Sequence, residues 1–210
     1  ISRDGYKTLL NHLRLCGNIP ESYRHDSSEE KLYSKYTDSI LSFAYKSIGL
    51  KSHVIKERAD VADVEGFAQN FSFVADAKAF RLSRTAKNQK DFKIQAMDRW
   101  KHGKKNAMVV CPIYQLPTSN SQIYHQSITR NVLIFTYSHL ALLVRFANEE
   151  SHSSAEELLF DLFEIIPTLN PSKSAVDYWM IINRMILKHS KLFSEFWKEE
   201  KIIAAESIEV

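Results

Sequence analysis

The stretch Phe71-Ser72-Phe73-Val74-Ala75-Asp76-Ala77-Lys78-Ala79-Phe80 alternates bulky and small side chains, the period-two signature of a β-strand. Asp76 and Lys78 lie two residues apart in it, so on a strand both project from the same face. A carboxylate and an ammonium side by side on an otherwise apolar strand are costly to bury without a purpose. The run 61–67 before it is also strand-like, and a hairpin between the two brings Asp63 near Asp76. Two carboxylates with a main-chain carbonyl make a hard oxygen site suited to Mg²⁺. With a lysine alongside to orient or deprotonate a water, the pattern describes metal-assisted attack on a phosphodiester. The spacing also fits a surface strand carrying an exposed ion pair worth about 0–1 kcal/mol.

Working outward, residues 52–58 form another β-branched run, and residues 85–102 are polar with helical spacing, Phe92, Ala96 and Trp100 forming the buried stripe. The apolar runs 106–114 and 131–137 have strand length and suit strands covered on both faces. The polar connection 115–130 between them is longer than a routine loop, and it carries Gln115, Asn120, Gln122, His125, Gln126 and Arg130 as further candidates for base readout. Upstream, residues 6–16 read as a short helix. A second helix opens on the capping-box pair Ser27 and Glu30, runs on a stripe of Leu32, Tyr36, Ile40, Phe43 and Ala44, and stops at Gly49. Helices are expected at 138–148, 155–165 and 172–201. The expected architecture is α/β, or mixed α+β, with a central mixed β-sheet flanked by helices. It forms one domain over 1–210, with a catalytic core at about 27–147 and a helical C-terminal part at about 150–210.

Composition narrows the class. The chain has 210 residues, 44% hydrophobic and 25% charged, with 5 glycines, 5 prolines and 2 cysteines, which excludes collagen, low-complexity disorder and a disulfide scaffold. No apolar run approaches the roughly 18 residues of a membrane span, and no charged-then-apolar leader pattern opens the sequence, so a cytoplasmic location without a membrane partner is expected. Cys16 and Cys111 read as reduced, buried thiols. The net charge of +3 conceals an uneven distribution: residues 78–105 hold ten basic and two acidic side chains, a local +8, and the remainder carries −5. Such a block is commonly a solvated helix face. Here it begins at Lys78, where a nuclease needs cations to hold the strand being cut. Arg81, Arg84, Lys87, Asn88, Gln89 and Lys90 supply bidentate partners for guanine and adenine, and Ser83 and Lys93 complete the candidate DNA contacts of the segment.

The run VADAKAFRLSRTAKNQKDFK at 74–93 closely resembles the catalytic segment of the HindIII-like type II restriction endonucleases of the PD-(D/E)xK nuclease superfamily. Further similarity lies in Glu30-Lys31-Leu32-Tyr33-Ser34-Lys35, in Glu57-Arg58 through Asp63-Val64, in Pro117-Thr118 with Ser121-Gln122-Ile123, and in Asn131-Val132-Leu133, so that it spans about residues 27–147. The resemblance implies a restriction-endonuclease-like fold and a homodimer that cuts a palindrome in double-stranded DNA with Mg²⁺, leaving 5′-phosphate ends, with AAGCTT as the first sequence to test. Position by position, Asp63 and Asp76 match the metal-binding aspartates and Lys78 the catalytic lysine, and Ala77 offers its carbonyl oxygen to the metal. Ala62 stands where the superfamily motif has proline. Glu30 matches a glutamate that binds or orients the metal site in related nucleases; its other reading is the cap with Ser27. The alternatives are a repair, recombination or nicking nuclease on the same fold, and a DNA-binding protein without activity.

Overall fold

The computed structural model describes residues 5–56, 60–83 and 89–209, excepting the side chains of 89–90 and 207–209. Among these residues, one mixed sheet of five strands runs in the order β1 (Lys51–Val54), β2 (Val64–Phe67), β3 (Ser72–Ala77), β4 (Asn106–Cys111), β5 (Val132–Thr136). β1, β2 and β3 form an antiparallel meander, while β3–β4 and β4–β5 are parallel. Parallel neighbours need crossovers. The first carries α3 (Gln89–Phe92) and α4 (Ile94–Trp100), and the second carries α5 (Gln122–Thr129). Every residue of β4 and β5 is buried, as their unbroken apolar character requires.

α2 (Ser28–Ile48) packs along β1, β2 and β3, with α1 (Gly5–Leu15), α6 (Tyr137–Glu149) and α7 (His152–Ile165) gathered on it. Tyr45 of α2 meets Phe73 of β3 edge-on and donates its hydroxyl to Met108 Sδ. Gly66 lies opposite Phe73, and a Cβ there would sit 2.3 Å from the ring's Cζ, so this strand position requires a missing side chain. α8 (Ala175–His189) closes the β5 edge: Tyr178 Oη accepts from Ile134 N–H and donates to Ile134 O, satisfying backbone groups that would otherwise be unpaired. α9 (Leu192–Glu209) follows it. No helix is long and apolar enough to cross a membrane among the described residues. Both cysteines are free and buried.

Four expectations need correction. The stripe on α2 is rotated: Leu32 is 71% and Phe43 49% exposed, and the buried face is Thr37, Asp38, Ile40, Leu41, Ala44, Tyr45 and Ile48. The helix expected over 85–102 is, in its described part, two short helices joined at Lys93, whose φ of +50° turns the chain so that Phe92 and Ile94 are both buried. The connection 115–130 is not irregular throughout, because Ser121 caps α5 and Ile123, Tyr124 and Ile128 bury it. Finally, the long helix at 172–201 breaks at Ser190, whose backbone is extended and whose hydroxyl accepts from Leu192 N–H.

Candidate active site

The antiparallel register of β2 and β3 pairs Val64 with Ala75, which sets Asp63 across from Asp76. Asp63 is pinned by its own backbone, its N–H donating to Ala75 O at 3.1 Å and its carbonyl accepting from Ile55 N–H at 2.8 Å. Its carboxylate is thereby aimed at the end of β3, where Oδ2 accepts the Ala77 N–H at 3.0 Å. Asp76, 3% exposed, faces Lys78, 7% exposed, in a direct ion pair. The turn of backbone after β3 is held from both sides. Lys78 N–H donates to Val110 O at 2.8 Å and Lys78 O accepts from Tyr137 Oη at 3.0 Å, while Phe80 N–H donates to Gly17 O. Gly17 has φ +84°, and a Cβ there would collide with Lys78 O, Pro112 and Tyr137.

A third carboxylate joins these from α2. Asp38 is 3% exposed and bonded to Lys35 Nζ at 2.9 Å. Burial raises its pKa above the usual carboxylate range, with Lys35 opposing and the charge of Asp76 adding to the rise. Asp63 is pushed up to about 7, first by burial and then by the charges of Asp76 and Asp38. Asp76 Oδ2 is the oxygen that meets Lys78 Nζ, both groups being buried. Three carboxylates that repel one another, two of them raised in pKa by burial and by each other's charge, form a donor set that fits a hard divalent cation.

Comparison with known proteins places the chain in a family. The family model for the HindIII restriction endonuclease matches residues 1–210. The chain belongs to that family. It is 37% identical over 195 residues to the type II restriction enzyme HindIII of Haemophilus influenzae, a match covering 92% of this chain and 63% of the relative's length.

Within this family member, the other sequence candidates are placed unevenly. Glu30 is not brought to the carboxylates. Its N–H donates to Ser27 Oγ, its Oε2 accepts the Asp26 N–H at 2.6 Å, and its Oε1 pairs with Arg81. It lies eight residues before Asp38, about 12 Å along the helix. Asp38 and Lys35 are the α2 side chains that couple to Asp63 and Asp76. Asp38 is legible in the sequence only on the correct face of α2, three residues before Leu41 and seven before Tyr45. Arg81 is tied to Glu30 and to Pro20 O, and Ser83 donates its N–H and hydroxyl to Glu21. Arg84, Lys87 and Asn88 lie outside the described residues, as do the side chains of Gln89 and Lys90. In the second candidate segment, Gln115 is buried and donates to Arg81 O, and Arg130 pairs with Asp98.

The basic block itself divides. Lys101 donates to Asp98 and to Arg130 O, Lys104 pairs with Glu65 at 2.7 Å, and Lys105 pairs with Glu164 at 2.6 Å. Lys104 and Lys105 are therefore engaged by acids from elsewhere in the fold, and Lys101 by an acid of the block itself. Lys93 is exposed and borders a cleft that opens at Asp63.

Proposed function

We propose that the protein is a type II endonuclease that uses Mg²⁺ to hydrolyse one phosphodiester per strand of double-stranded DNA at a short palindrome, working as a homodimer in the cytoplasm. The observation that carries this reading is the constellation of the half-buried Asp63 with the buried Asp76 and Lys78 in a member of the HindIII family.

Asp63 and Asp76 are the side chains that would hold the ion, with the Ala77 carbonyl as a main-chain ligand. A bound Mg²⁺ supplies Lewis-acid stabilisation of the charge that builds on the phosphoryl oxygens. The protein's own groups do the rest. Asp76 holds the Lys78 ammonium at the site, where its remaining donors orient the attacking water against the phosphate. The Val110 and Tyr137 hydrogen bonds fix the backbone from which that side chain reaches. The water oxygen bonds to phosphorus as the bond to the 3′ oxygen breaks, leaving a 5′-phosphate and, after proton transfer, a 3′-hydroxyl.

Supercoiled plasmid incubated with the protein and Mg²⁺ is expected to give discrete fragments, whose sequenced ends fix site and stagger, with AAGCTT as the first site to inspect. Size-exclusion chromatography with light scattering is expected to show two chains. Failure to cut in Mg²⁺, or cutting without defined ends, would remove the restriction-enzyme reading.

A further inference from the structure

The cleft at Asp63 has a volume of about 900 Å³ and two kinds of wall. Val54, Ala96 and Trp100 line it with apolar surface, while Lys35, Lys56 and Lys93 stand on it from three separate places: α2, the segment after β1, and the joint between α3 and α4. All three lysines are exposed. Lys35 spends one donor on Asp38 and keeps its side chain 69% exposed, so two of its three N–H groups face outward. The left-handed backbone of Lys93 sets it at the rim between two buried neighbours, with Nζ 5.5 Å from the Trp100 ring centre. Trp100 is itself fixed by donating to Asp60. Neither Lys56 nor Lys93 has an ion-pair partner among the described residues.

An apolar wall with cations spaced along its rim matches a sugar–phosphate backbone, which alternates apolar sugar faces with anions. We infer that this cleft receives the backbone of the strand to be cut, next to the phosphate at Asp63 and Asp76, and that Lys35, Lys56 and Lys93 are its phosphate contacts. The inference rests on the nuclease reading for its substrate. It relocates the electrostatic grip: two of the three lysines lie outside the basic block at 78–105, and Lys104 and Lys105 of that block are already paired.

The salt dependence of binding counts phosphate contacts directly, each contributing about 0.9 to the slope of log Kd against log salt. The measurement is fluorescence anisotropy with a labelled duplex of about 30 base pairs containing AAGCTT, in EDTA so that binding is read without cleavage. Substituting Lys35→Gln, Lys56→Gln and Lys93→Gln together is expected to lower the slope by about 5.4, each of the two chains of the homodimer losing three contacts. The Lys56→Gln/Lys93→Gln pair, which leaves Asp38 its partner, is expected to lower it by about 3.6. Lys104→Gln with Lys105→Gln should leave it at the wild-type value. An unchanged slope in the first two variants, or an equal fall in the third, overturns the assignment. Wild-type protein that shows these slopes but cuts no plasmid in Mg²⁺ would sink the nuclease reading while leaving the cleft as the binding surface.

Discussion

Two buried polar groups of this fold sit on neighbouring parts of the sheet and are built to opposite rules. Beside β5, His139 uses both ring nitrogens, one with Thr136 Oγ1 at 2.6 Å and the other with Asn183 Oδ1 at 2.8 Å. Its ring stacks against Trp179 and Trp197, and burial lowers its pKa to about 4, so it stays neutral. At the end of β3, by contrast, Asp63, Asp76 and Asp38 crowd like charges together, with Lys78 on Asp76 and Lys35 on Asp38 offsetting them in part. A satisfied neutral network serves packing; a cluster of mutually repelling charges is the kind of arrangement found at functional sites.

Breaking the charged group should abolish activity with little cost to the fold. Lys78→Ala and Asp76→Asn are each expected to slow plasmid cleavage in Mg²⁺ by about 10³-fold or more, with an unchanged circular dichroism spectrum. Rates near wild type in either variant would show that the ion pair is structural. The other group should behave in reverse. His139→Ala empties a stacked, doubly bonded position and is expected to cost about 3 kcal/mol, or roughly 6–12 °C in Tm, while cleavage well below the transition is retained.

The same contrast has a pH signature. His139 has a folded pKa below that of the unfolded chain, so the stability it contributes is present above about 6.5 and is lost as pH falls toward about 4. Asp63 has a folded pKa above its unfolded value near 4, so its contribution is present at low pH and lost as pH rises through about 7. Thermal melts in EDTA should therefore show Asp63→Asn flattening the decline between about pH 4 and 7, and His139→Phe flattening the rise between about pH 4 and 6.5. Adding Mg²⁺ should raise the wild-type Tm more at about pH 8 than at about pH 5, since a cation binds the ionised carboxylates. Equal gains at both would argue against a metal on Asp63.

Much of the fold is legible along the chain, and the failures share a cause. The unbroken apolar runs at β4 and β5 report strands buried on both faces, and the period-two alternation of side-chain size marks β3 as a strand although its residues Phe73–Asp76 are all buried, so the strands and the neighbourhood of Asp63 and Asp76 follow from them. The α2 stripe misleads because Leu32 and Phe43 are apolar yet exposed, while Asp38 is charged yet buried; hydrophobicity alone cannot show which face a functional carboxylate occupies. The basic block misleads for a related reason. Linear charge density does not reveal that Glu65 and Glu164 arrive from other elements to pair with Lys104 and Lys105. The cleft lysines are far apart in sequence and meet only through the fold.

The smallest effect is expected where the sequence pointed and the geometry does not. Asp38→Asn keeps a side chain of the same shape but removes one charge from the cluster at Asp63 and Asp76. Cleavage is expected to fall by about tenfold with the Mg²⁺ requirement shifted upward, because the donor set holds the cation less strongly. Glu30→Gln, at the start of the same helix, weakens only the pair with Arg81 and a capping contact, and a partly exposed pair of this kind is worth about 1 kcal/mol or less. Its kcat should stay within about twofold of wild type at every Mg²⁺ concentration. A Mg²⁺ titration comparing the two variants separates the alternatives cleanly: if Glu30→Gln shifts the metal requirement and Asp38→Asn does not, the helix addresses the metal site from its first turn, and Asp38 is a buried structural carboxylate with no part in holding the cation.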